Sequence, residues 1–152
     1  MGYISVSGTG CAARTLGLAL SATLLLGAAE PGAVELDVAG LRSAKGVVQV
    51  CLTRDPVNFP GCTDDKFAVK RKVPATQTRL SFGDLPTGAY AAALIHDENA
   101  NNRLDTMLGI PREGFGFSRN PVIAFGPPKF AAARFTVAAG ETIQRIQMKY
   151  LL

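Results

Sequence analysis

Apolar and polar residues alternate with a period of two over most of the chain after residue 30, and that period belongs to half-buried β-strands. Val34, Leu36 and Val38 share one face while Glu35 and Asp37 take the other, and Val48, Val50 and Leu52 repeat the pattern with Gln49 and Cys51 outside. Leu80 and Phe82 continue the series. Tyr90 to Ile95 forms an apolar strand, Ala133, Phe135 and Val137 alternate with Arg134 and Thr136, and Ile146, Met148, Tyr150 and Leu152 alternate with Arg145, Gln147 and Lys149 as a strand running to the last residue. No helical stretch competes beyond the N-terminal segment. About seven strands separated by Gly- and Pro-bearing turns predict an all-β chain, a β-sandwich of the immunoglobulin or prealbumin type with an open barrel as the alternative. The segment Leu85-Pro86-Thr87-Gly88-Ala89-Tyr90 is similar to the corner of prealbumin-like modules.

The first 29 residues read differently. A short polar segment with Arg14 precedes an apolar run from Leu16 to Ala29, broken only by Ser21 and Thr23 and closed by small residues. This is the pattern of an export signal cut after Ala29, or as late as Ala33, rather than of a membrane-spanning helix. The expectation is an exported protein, periplasmic or extracellular, with residues 30–152 as a single domain and no integral membrane span after processing. Removal of residues 1–29 takes one of 16 basic residues and none of 12 acidic ones, leaving a net charge of +3. The densest basic cluster, Lys66 with Lys70-Arg71-Lys72, lies on an alternating stretch and reads as a lysine-protected edge strand. Neither a recognition helix nor a stacking platform accompanies it, so nucleic acid is not an expected partner. Cys11 leaves with the signal, and Cys51 and Cys62 remain as an even pair that favours a disulfide in an exported chain.

Candidate chemistry concentrates in His96-Asp97-Glu98-Asn99-Ala100-Asn101-Asn102-Arg103-Leu104-Asp105. Asp97, Asn99, Asn101, the Arg103 carbonyl and Asp105 fall at ligand positions one, three, five, seven and nine of a calcium loop. Asn102 stands where an EF-hand has Gly, a mild departure because Asn enters the left-handed region readily. Leu108 stands where the bidentate Glu belongs, so Ca²⁺ affinity is expected in the weak range of about 10⁻⁴ to 10⁻³ M. Glu98, Glu113 and the lone histidine, His96, are candidates for further ligands or supporting contacts. A polar turn without metal uses the same residue types.

The stretch from Asp97 to Pro128 is the longest irregular region and the expected seat of function. In it, Gly109-Ile110-Pro111-Arg112-Glu113-Gly114-Phe115-Gly116-Phe117-Ser118 precedes Phe125-Gly126-Pro127-Pro128. Phe115 and Phe117 read either as pins that pack the segment to the domain or as a surface for an envelope or extracellular partner. The calcium-loop stretch, this second motif and the downstream Phe130 together resemble the bacterial domain of unknown function 2141 family across essentially the whole mature chain. The resemblance implies an exported β-sandwich and supplies no activity.

Enzymatic readings find little support. His96 would need Ser118 and a carboxylate such as Asp84 or Asp105, and nothing in the sequence joins them. An acid and base pair of Glu98 and Glu113 is equally unanchored. Sugar binding is disfavoured by the absence of Trp, with Tyr90 and Tyr150 at strand positions. The reading is a calcium-stabilised, exported β-sandwich with a non-catalytic binding or structural role. Its rival is a metal-dependent hydrolase using the region 96–120.

Overall fold

The computed structural model describes Gly2 and residues 30–152; the expected export signal, apart from Gly2, and Cys11 lie outside the described residues. Strands β1 (Gly32–Ala39), β2 (Val47–Thr53), β3 (Val69–Pro74), β4 (Arg79–Leu85) and β5 (Gly88–Asp97) come first. Then follow β6 (Thr106–Met107), β7 (Ile110–Pro111), β8 (Gly114–Phe117), the single helical turn α1 (Phe130–Ala133), β9 (Phe135–Val137) and β10 (Gly140–Gln147). They form two main sheets. The first has the order β10-β1-β4, with β10 parallel and β4 antiparallel to β1. The second runs β3-β2-β5-β8, antiparallel throughout, with β9 paired to the start of β5. β6 and β7 make a separate two-stranded hairpin.

Both sheets turn an apolar face inward, because alternate side chains of a strand point to opposite faces and the apolar set gains by leaving water. Val34, Leu36, Leu80, Phe82 and Ile146 of the first sheet meet Val48, Leu52, Tyr90 and Leu94 of the second in one core. The chain is therefore an all-β sandwich. Residues Tyr90 to Leu94 are buried consecutively, which means β5 is covered on both faces. Its outer cover is a second apolar cluster, in which Cys51, Ala91, Ala93, Phe115 and Phe117 pack against Phe59, Cys62 and Ala133. The Cys51–Cys62 disulfide, with Cα atoms 6.0 Å apart, ties that cover to β2. The edge of the second sheet is β3, carrying Lys70, Arg71 and Lys72.

Several expectations change. Among the described residues ten strands form where about seven were read, and β6, β7 and β8 all lie in the region expected to be irregular. In β8 the positions facing the core are Gly114 and Gly116, so half of its period carries no side chain to be read. What fills the space is the far side: the Tyr150 ring lies against Gly114, and Ile146 with Met148 against Gly116. Ala133, expected to begin a strand, closes the turn α1 instead. The final strand ends at Gln147, after which Met148 donates to the Ala39 carbonyl at 2.8 Å and Lys149 exchanges two hydrogen bonds with Phe115 at 2.8 and 3.0 Å. The tail thus crosses from the first sheet to the second. Leu151 and Leu152 are exposed.

Candidate functional site

Strand β5 delivers His96 and Asp97 at its end, and alternation sends them to opposite faces. The buried His96 ring points inward, where Nδ1 lies 2.7 Å from the Tyr150 hydroxyl and Nε2 lies 2.8 Å from the Lys45 carbonyl oxygen. A carbonyl only accepts, so Nε2 carries a proton, and Nδ1 shares a hydrogen bond with the Tyr150 hydroxyl. The histidine has both nitrogens committed to the interior and takes no part in the loop that follows. It stands apart from the residues with which the sequence grouped it.

Asp97, fully buried, faces the other way. One carboxylate oxygen accepts the Asn101 N–H at 3.0 Å, and the other accepts the Asn102 N–H at 2.7 Å and the Gln49 amide at 2.6 Å. Three donors on one buried carboxylate replace the water it has lost. They also wind the loop, with Ala100 and Asn102 in the left-handed region at φ 58° and 67°. Asn99 Oδ1 accepts from Asn101 N at 3.0 Å, and Asn101 Oδ1 from Arg103 N at 2.9 Å. The side-chain nitrogens of Asn99 and Asn101 converge on Asp105, at 2.7 Å and at 3.0 and 3.2 Å. These bonds, Asn101 foremost, hold the Asp105 carboxyl below its ordinary range. Asp97, Asn99, Asn101 and Asp105 therefore belong to one hydrogen-bonded ring, while the Arg103 side chain is exposed. Among the described residues, no group of three or more His, Cys, Asp or Glu is disposed to hold a metal ion.

Glu113 and Glu98 serve as struts. Glu113 is buried and accepts Glu98 N–H and Asp105 N–H, each at 3.1 Å, so it clasps both ends of the ring. Glu98 receives Arg42 Nε at 3.0 Å and Ser43 Oγ at 2.7 Å. Arg42 also donates to the Arg112 carbonyl at 2.8 Å and the Leu152 carbonyl at 2.6 Å, and its guanidinium lies 4.5 Å from the Tyr150 ring centre. The Arg42 hydrogen bond, with Ser43 behind it, depresses the Glu98 carboxyl against a smaller opposing effect of burial. Arg42, Gln49 and Tyr150 escaped the sequence reading because their partners lie roughly 50 to 110 positions away.

Beside the ring the outer face of the second sheet is open. A cleft of about 800 Å³ has Gln49, Ile95 and Phe115 in its floor, with walls from the β6–β7 hairpin and from the arm Ile123 to Pro127. Phe115 and Phe117 are only 6% and 8% exposed, so they pack as pins; the exposed apolar side chains of the 97–128 region are Met107, Leu108, Ile110, Val122 and Phe125. A hint of this was legible in Val122, Ile123 and Phe125, apolar residues lying outside any alternating stretch.

No curated protein and no solved structure matches the chain. Residues 36–145 match a family described as uncharacterized protein conserved in bacteria. That span takes in β2 to β9, parts of β1 and β10, the Asp97 to Asp105 ring and nearly all of the cleft lining, and the chain belongs to this family, DUF2141.

Proposed function

We propose that the mature chain is an exported, non-catalytic binding module of the bacterial envelope or exterior, with a Ca²⁺-responsive loop at Asp97 to Asp105. The carrying observation is the Asp97 carboxylate, which accepts the Asn101 and Asn102 N–H groups and so turns Asn99, Asn101 and Asp105 toward one another. Those residues, with the Arg103 carbonyl, are the oxygen set a hard cation takes. The ion would replace the amide donors now compensating Asp105, and with two carboxylates its hold is expected to be weak. Export is supported by the N-terminal pattern and by the disulfide. The hydrolase rival draws no support from the geometry: His96 is occupied inside the sandwich, Glu113 and Glu98 are occupied as struts, and the Ser118 hydroxyl is buried between Ala92 N and the Ala133 carbonyl.

Thermal melts in chelator, Ca²⁺ and Mg²⁺ test the metal reading. An ion that binds only the folded state adds about 1.4 kcal/mol at ten times its dissociation constant, and Mg²⁺, which sheds water reluctantly, should do less. Asp105→Asn should melt below wild type in chelator, having lost a carboxylate that accepts from Asn99 and Asn101, and should in addition lose the Ca²⁺ response. A melting temperature indifferent to about 10 mM Ca²⁺, ten times the weak end of the expected range, leaves the ring as a polar turn.

A further inference from the structure

The outer face of the second sheet carries a gradient that the calcium ring does not explain. Register places Lys72, Gln49, Ile95 and Phe115 in one row across the strands, and Lys70, Cys51, Ala93 and Phe117 in the next. Each row runs from a lysine on the edge strand β3 to an aromatic ring on β8. Among the described residues, the only charged ones lining the cleft over these rows are Lys70, Arg71 and Lys72, and no carboxylate lines it. Arg71 is engaged elsewhere, 4.3 Å from the Phe82 ring centre and donating to the Ser81 carbonyl at 2.8 Å. Lys72 donates to Asn102 Oδ1 and Lys70 to the Thr63 carbonyl, both neutral acceptors, and neither lysine is in an ion pair among the described residues. Ile110 on the hairpin and Phe125 on the facing arm both line the cleft and stand 43% and 99% exposed. Large apolar side chains left in water beside a cleft mark a place where an apolar ligand is taken up.

We propose that this cleft binds a free single-chain amphiphile with a carboxylate head, a fatty acid, lying across the strands. The head sits at Lys70 and Lys72, and the chain runs over Ile95 toward Phe115, with Ile110 and Phe125 closing on it from the two walls. The distance from β3 to β8 is three inter-strand spacings, roughly 14 Å, which suits a chain of medium length. A strand-forming peptide is the poorer occupant, since three consecutive cations guard the β3 edge. A membrane surface is also poorer, because the lysines lie at one end of a walled cleft rather than around the apolar tips. This inference deepens the binding-module reading and does not depend on calcium.

Titration calorimetry in chelator, with dodecanoate below its micellar concentration, is the test; chelator keeps calcium from precipitating the acid. Saturable one-to-one binding is expected, with dodecanol, the same chain without charge, about tenfold weaker. Lys70→Gln with Lys72→Gln, both on exposed positions, should weaken dodecanoate about tenfold and leave dodecanol within twofold. Ile110→Ser should weaken both. Equal binding of acid and alcohol, or indifference to the lysine pair, overturns the carboxylate head. Binding to phosphatidylglycerol vesicles without binding of monomeric dodecanoate overturns the cleft ligand in favour of a lipid surface. Calcium melts on the same protein separate the readings: a preserved calcium response with no dodecanoate binding sinks this inference alone.

Discussion

Neighbouring residues His96 and Asp97 meet opposite fates because one strand step reverses the face, and that single step decides which of them belongs to the candidate site. Spacing made Asp97, Asn99, Asn101 and Asp105 legible, since local ligand positions depend only on the chain that carries them. Arg42, Gln49 and Tyr150 were not legible, because their contacts exist only after distant strands pair. Glu98 shows what such a contact does. Arg42 and Ser43 hold its folded pKa below the ordinary 4.5. A carboxylate so depressed contributes stability above its ordinary value and loses it as pH falls through the folded one. The wild type should therefore lose stability on acidification below about pH 4.5, and Glu98→Gln should lose less over that window. Urea denaturation at stepped pH measures both slopes; identical slopes would remove Glu98 from the acid response.

Among the elements, β8 was the hardest to foresee and is the most confined. Its inward positions are glycines because the tail strand lies against them, and a Cβ on Gly114 would run into the Tyr150 ring. Tyr150 cannot yield freely, being bonded to His96 and stacked under Arg42. Gly114→Ala should cost about 1 to 3 kcal/mol, the range for overfilled cores, whereas Gly83→Ala, with nothing within 4 Å of its added carbon, should be near neutral. Chemical denaturation of the pair makes the comparison. The longer strands were legible for the reason β8 was not: Val34, Leu36 and Val38 in β1, Val48, Val50 and Leu52 in β2, and Leu80 and Phe82 in β4 carry apolar side chains inward, so their period survives in sequence. Of β10 only Arg145 to Gln147 fell on the expected strand, because its earlier inward positions are Gly140, Thr142 and Gln144. Two-residue strands such as β6 and β7 are too short to show any period.

For the whole molecule, the sandwich follows from period-two alternation, and the double cover of β5 follows from the apolar run Tyr90 to Leu94. What alternation does not tell is which strands become neighbours. The outer cover depends on the Cys51–Cys62 bridge, whose closed loop is short; reduction should cost about 2.8 kcal/mol in the chain-entropy account. Thiol titration of unfolded, unreduced protein comprising residues 30–152 should find none free, and melts with and without reductant should differ by that amount. Two free thiols would remove the bridge.

The parallel pairing of β1 with β10 has a consequence in time. Gly32 lies opposite Gly140 and Ala39 opposite Gln147, so the first strand made waits for the last. Topologies built on such distant pairings fold slowly. A ribosome or a translocation pore releasing this chain from its N-terminus would hold an open half-sandwich until the final strand arrived. Completion of the first sheet is thereby postponed until residues 140–147 have emerged.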